Sequence, residues 1–205
     1  MPLYRSPYPA NVSRDAIRQS GNRHMPQDIH LLARQEFLTD KAKYFSDKKE
    51  LYLEVKDRIA ESLGLPLSMI RVCGSAYWGR SYTADRDFLP GDSDLDVALI
   101  DQLMYVRAIS EARQMTHNFY NRTLFPSSPH NAYETFRDYA YKKGIIRPDL
   151  MPRTRLKTLL SSLSHSLSYQ FRDHFSKITF AIYDTEASFT VKQIAPTEKF
   201  NGGKV

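Results

Sequence analysis

Two aspartates, Asp94 and Asp96, stand two residues apart in the run Ser93-Asp94-Leu95-Asp96-Val97-Ala98-Leu99-Ile100. Side chains alternate between faces along a β-strand, so the two carboxylates share one face while Leu95, Val97 and Leu99 share the other. Neighbouring carboxylates repel unless a cation lies between them, and a hard divalent ion such as Mg²⁺ or Mn²⁺ takes oxygen donors of this kind. Upstream, Gly74 and Ser75 follow the apolar run that ends at Cys73. A glycine there lets the main chain approach a ligand closely, and exposed N–H groups beside a serine hydroxyl can hold phosphate oxygens. Gly79 completes a G-S-x-x-x-G spacing, which is not the G-x-x-x-x-G-K-S/T of a P-loop. A phosphate cradle beside a two-carboxylate metal site suits phosphoryl or nucleotidyl transfer. That chemistry needs the polyphosphate held, its charge neutralised and an acceptor oxygen aligned.

The elements that must position these residues follow from periodicity. Helical spacing predicts a first helix from about Gln27 to Tyr44 through Ile29, Leu32, Ala33 and Phe37. A second starts at a Ser46 N-cap, carries Tyr52, Val55, Ile59 and Leu63 as one stripe, and stops at Gly64 before Pro66. Met69 to Cys73 reads as a short strand, and the aspartate run to Ile100 as a second. Further helices are expected over 102–120, from an Asn131/Glu134 cap to Gly144, and from Leu156 to Phe171 with serines 161, 162, 164, 166 and 168 on its outer face. The segment from Ile145 to Arg155 reads as a proline-broken connection. KITFAIY and SFTVKQI, joined around DTEA, read as a closing β-hairpin. The expected class is α+β, a mixed sheet of four or more strands packed by helices.

At 205 residues with 41% hydrophobic and 25% charged residues, the chain suits one domain with an ordinary core. The expected organisation is a loosely ordered basic arm over 1–24, a domain over 25–198 and a flexible tail over 199–205. No apolar run is long enough to cross a membrane and the polar start is unlike a signal peptide, so a cytoplasmic protein is expected. The single cysteine, Cys73, excludes an internal disulfide framework and a cysteine-rich zinc site. The six histidines show no metal-ligand spacing. Net charge is +6, and the segment from Arg107 to Lys177 alone holds twelve Lys or Arg against five acids, a difference of +7. With Tyr133, Phe136, Tyr139 and Tyr141 interleaved, that basic half could face a nucleic acid or be an ordinary solvated surface.

GSAYWG followed by SDLDVALID resembles the signature of the DNA polymerase β-like nucleotidyltransferase superfamily: a hydrophobic strand, Gly-Ser, a loop, then an aspartate-x-aspartate strand. In detail the chain resembles small bacterial nucleotidyltransferase-domain proteins with a long loop between the halves of the motif. The resemblance is confined to about Ile70–Asp101, with the expected closing hairpin compatible. It implies the nucleotidyltransferase fold and transfer of a nucleoside monophosphate from an NTP to a nucleic-acid, nucleotide or protein hydroxyl. It implies that Gly74 and Ser75 bind the nucleotide phosphates and that Asp94 and Asp96 hold Mg²⁺ or Mn²⁺. Arg80, Tyr82 and Arg86 in the long loop are nucleotide contacts by position and chemistry, and Asp92 is a turn residue. Such small proteins often belong to bacterial defence or toxin–antitoxin settings.

Two departures set this chain apart. Asp94 lies nineteen positions after Ser75, so the loop must fold over or beside the site. Active members also carry a third carboxylate on a neighbouring strand. Here the strand over Lys177–Tyr183 offers none, and Thr179 stands about where the acid is expected, with Asp184 and Glu186 near the strand end as the remaining sources. The alternative function is therefore a catalytically inactive relative that binds nucleotide or nucleic acid and acts as a regulatory or interaction module with a protein partner.

Overall fold

A computed structural model describes residues 28–38 and 42–201. The expected basic arm over 1–24 and the last residues of the expected tail, 202–205, lie outside them. The molecule is α+β, with a four-stranded mixed sheet packed by helices.

The strands are β1 (Ile70–Cys73), β2 (Leu95–Ile100), β3 (Ile145–Ile146) and β4 (Ile178–Tyr183), in the order β1-β2-β4-β3. β1 runs antiparallel to β2, β2 parallel to β4, and β3 antiparallel to β4. The register sorts the two faces by residue type. Val72, Val97 and Phe180 align across three strands, as do Ile70, Leu99 and Ile182, and all are buried. On the opposite face Cys73, Asp96 and Thr179 align, followed by the small pair Ala98 and Ala181. The alternation read from the sequence thus places the apolar set in the core and Asp96 on the other face.

Seven helices surround the sheet among the described residues: α1 (Ile29–Leu38), α2 (Lys49–Leu63), α3 (Gly74–Trp78), α4 (Gln102–Met115), α5 (Ala132–Lys143), α6 (Arg155–Gln170) and α7 (Glu186–Asn201). α2 and α5 end at Gly64 and Gly144 in left-handed conformation, as expected. Asp101 caps α4 by accepting the Met104 N–H. That helix stops earlier than expected. The Thr116 hydroxyl bonds the Ala112 carbonyl and accepts the Phe119 N–H, while His117, Asn118 and Phe119 all take positive φ. Neither Ser46 nor the Asn131 side chain caps a helix; Lys48 holds the N-cap position of α2, and the Asn131 side chain makes no capping bond. The first expected helix is shorter, α1 being followed by a single 3₁₀ turn at Lys43–Phe45.

The closing hairpin is not formed. Only its first half is a strand, and residues 186–201 form α7, which takes in the first residues of the expected tail. Thr185 starts this helix by accepting the Ser188 N–H, and Glu186 occupies its first turn. Phe189, Gln193 and Thr197 then recur every fourth residue on the buried side. The β-branched run Thr190-Val191 and Pro196 hide that period in the sequence, but the threonines satisfy themselves within the helix. Thr190 and Thr197 hydroxyls donate to the carbonyls of Glu186 and Gln193.

β3 covers only the far end of β4, which leaves Ile178 at an uncovered edge. Two residues expected on an outer helix face cover it instead. Ser164 donates to the Ile178 carbonyl, and Ser168 accepts the Ile178 N–H at 2.8 Å. Ser164 and Ser168 are accordingly half-buried, whereas Ser161, Ser162 and Ser166 are exposed. Ile178 is fully buried, so losing its partner leaves a donor unpaired away from water. Ser168→Ala should lower the unfolding free energy by about 1–3 kcal/mol in urea denaturation, and Ser166→Ala by less than about 0.5 kcal/mol. Equal effects from the two would show that these serines are only a solvated face.

Candidate functional site

The parallel pairing of β2 with β4 extends past the start of β2. The Leu95 N–H donates to the Lys177 carbonyl and the Ser176 N–H to the Ser93 carbonyl. This brings hydroxyls to both aspartates. Ser176 donates to Asp94 Oδ1 at 2.7 Å and Thr179 to Asp96 Oδ1 at 2.7 Å. Asp94 is exposed and Asp96 half-buried. The two carboxylates thus share a face at the head of the sheet, as the spacing of the sequence requires, and each is oriented through one oxygen.

The second Asp96 oxygen faces Gly74. Gly74 has φ +66°, a conformation side chains rarely adopt, and a Cβ added there would fall 2.2 Å from Asp96 Oδ2. Only glycine admits the main chain so close to the carboxylate. Gly74 opens the short helix α3, which takes in Ser75 and the first residues of the expected loop. Ser75 is half-buried and does not line the cavity described next.

A cavity of about 940 Å³ opens over this face. Gly74, Asp94, Asp96, Ser176 and Thr179 line one part of it, together with Lys177. Arg147 and Tyr139 approach from the β3 side, and Lys192 and Gln193 from α7. Lys177 and Lys192 make no ion pair among the described residues, whereas Arg147 is held by Asp149 through bonds of 3.2 and 2.6 Å. Tyr139 sits among cations, with Lys143 at 4.2 Å, Arg147 at 5.7 Å and Lys192 at 6.0 Å from its ring centre.

Three expected nucleotide contacts divide. Tyr82 lines the cavity, and Lys199 fixes it by donating to its carbonyl at 2.8 Å and lying 5.3 Å from its ring centre. Arg80 and Arg86 do not line the cavity. They are exposed and turned to acids, Arg80 to Asp85 at 3.0 Å and Arg86 to Asp92 at 3.8 Å. The acids supplied by the loop itself explain the difference. Asp184 and Glu186, the expected sources of a third carboxylate, are also absent from the cavity wall. Thr179, Ala181 and Tyr183 share the Asp96 face, so Asp184 follows on the opposite parity. It lies five residues beyond Thr179, roughly 16 Å along the strand, against Gly144. Glu186 faces Arg34 at 3.9 Å. Among the described residues no three His, Cys, Asp or Glu side chains gather as a metal cluster. Thr179, not an acid, stands beside Asp96.

Arg147, Lys177, Lys192 and Gln193 carry no motif by which the sequence would reveal them. They reach the cavity only because β3, β4 and α7 converge on it. The interleaved tyrosines of α5 do not form one surface. Phe136 is buried in the core, Tyr139 lies on the cavity, and Tyr133, stacked with Arg122 at 4.5 Å, belongs to the other flank of the helix.

Comparison of the chain with protein-family models, with curated proteins and with solved structures finds no match.

Burial pushes the Asp96 carboxyl above the usual carboxylate range. The Thr179 hydroxyl pulls it back, the Asp94 charge pushes it up further, and Arg147 offsets part of that. The folded protein therefore holds this proton more tightly than the unfolded chain. Its stabilising effect is fully present below the ordinary aspartate pKa and is lost as pH rises towards the raised folded value. In metal-free buffer, Asp96→Asn should melt higher than the wild type at pH 7, with the difference vanishing near about pH 3.5. Melting temperatures that run parallel across that range would show that Asp96 bears no burial penalty.

Proposed function

We propose that the cavity takes a nucleoside triphosphate with Mg²⁺ and that the protein transfers a nucleoside monophosphate from it to a hydroxyl acceptor, on a fold of the polymerase β-like nucleotidyltransferase kind. The acceptor hydroxyl belongs to a nucleic-acid end, a nucleotide or a protein. One observation carries the reading: Asp94 and Asp96 share the face of a strand beside a glycine main chain, in a cavity also lined by Lys177 and Lys192, neither of which makes an ion pair among the described residues. The order β1, Gly-Ser, loop, β2, with β1 antiparallel to β2, supports the fold assignment.

The donor set fits a hard divalent ion. Asp94 and Asp96 offer oxygens only, each with one oxygen engaged by a hydroxyl, and Mg²⁺ is commonly held by one or two carboxylates completed by water and substrate phosphates. Asp94 and Asp96 would hold it, and when bound it neutralises phosphate charge and lowers the pKa of a coordinated hydroxyl. The remaining work belongs to the chain. Ser176 and Thr179 fix the carboxylate rotamers. Gly74 removes the side chain that would otherwise displace Asp96. Lys177, Lys192 and Arg147 supply positive charge for a polyphosphate, in place of Arg80 and Arg86. The cavity volume lies within the roughly 300–1,000 Å³ of small-ligand sites.

Thr179 favours a second reading. A hydroxyl in the position of the third acid suits a module that binds nucleotide without turnover and acts through a protein partner. Incubation with labelled NTPs and Mg²⁺ separates the two. The first reading expects labelled product or pyrophosphate, reduced at least about a hundredfold in the Asp94→Ala, Asp96→Ala double variant. Thermal stabilisation by NTP with no product would select the second. Full activity in the double variant would overturn the metal-site assignment.

A further inference from the structure

α7 presents polar groups to the cavity that phosphate binding leaves unused. Gln193 is 4% exposed and lies one turn beyond Phe189 on the buried stripe, yet it lines the cavity. Its carboxamide has no hydrogen-bond partner among the described residues. It is also not sealed away: the only fully enclosed side-chain nitrogen or oxygen without a partner among those residues is Trp78 Nε1. Its polar atoms thus meet only what enters the cavity, where leucine of similar volume would offer nothing to hydrogen-bond. The position therefore fits a polar partner presented from the cavity side.

Pro196 strengthens the case. It stands inside α7 and has no N–H to give to the Lys192 carbonyl four residues back, and both residues line the cavity. Trp78 and Tyr82 also line the cavity and pack on the C-terminal part of α7, Trp78 against Phe200 with ring centres 5.1 Å apart. Tyr82 is 44% exposed and is held from α7 by Lys199, so an accessible ring lines the same cavity as the amide.

On the reading that the cavity takes an NTP, we propose that Gln193 hydrogen-bonds its base and that Tyr82 stacks on it. A carboxamide offers one donor and one acceptor at fixed separation, and each free base presents an adjacent donor and acceptor along its pairing edge. Stacking on Tyr82 likewise serves any base.

Calorimetric titration of the full chain with the α,β-methylene analogues of ATP, GTP, CTP and UTP in Mg²⁺ tests this, with inorganic tripolyphosphate as a probe lacking a base. The wild type should bind the nucleotide analogues at least about tenfold more tightly than tripolyphosphate. Gln193→Leu should weaken the nucleotide analogues at least about fivefold and leave tripolyphosphate affinity unchanged, which also shows that the variant is folded. Gln193→Met, apolar and flexible, serves the same purpose if the leucine variant loses tripolyphosphate binding. Nucleotide affinity that is unchanged in the folded variant would overturn the assignment of Gln193 alone. Failure of the wild type to bind any nucleotide would overturn the nucleotide reading with it.

Discussion

Asp96 is a carboxylate set into the face of a sheet, and the structure around it is arranged to tolerate that charge. Thr179 reaches it from β4 because β2 and β4 run parallel in a register that places the two residues side by side. Gly74 lies against its other oxygen, where any Cβ would collide. The Asp94 charge opposes the arrangement and Arg147 favours it. A shift of β4 by one residue would turn Thr179 to the other face and bring an apolar side chain beside the carboxylate. The pairing of β2 with β4 is therefore as much a part of the site as the aspartates, and Ser164 and Ser168, which close the exposed edge of β4, help to hold it.

The cavity brings both signs of charge together. The strand end supplies anionic oxygens, hydroxyls and Lys177, the β3 side the paired Arg147 and Asp149, and α7 Lys192. An anionic ligand would give Lys177 and Lys192 a counter-charge that a neutral ligand would not, in a partly enclosed space. α7 has a double role. Phe189 anchors it in the aromatic core against Phe37 and Tyr183, and the next turns face the cavity. A change in its packing would move cavity groups as well as core groups.

The central stretch was legible because its physics is local. Alternation in β2 needs only neighbouring residues, and so does the need for glycine after β1. Gly64 and Gly144 mark helix ends for the same reason. What the sequence did not reveal depends on distant partners. Ser164 and Ser168 look like a solvated stripe until an uncovered strand edge lies beside them. Arg80 and Arg86 look like nucleotide contacts until the loop folds and brings them to Asp85 and Asp92. Asp184 looks near enough to supply a third carboxylate until strand parity places it at the far end and on the other side. α7 was misread because threonine, valine and proline carry strand and breaker preferences, while its buried positions recur at helical spacing. Thr179 in place of an acid was readable from the start, and its bond to Asp96 gives that residue a structural purpose.

The central claim is that Asp94 and Asp96 form the metal-binding end of a nucleotide site. The most direct test is a crystal structure with a non-hydrolysable NTP analogue and Mg²⁺. The account predicts the ion on Asp94 and Asp96, the triphosphate beside Gly74 and towards Lys177 and Lys192, and no protein carboxylate as a third ligand. A nucleotide bound elsewhere, or a cavity that holds it with both aspartates free of metal, would contradict it.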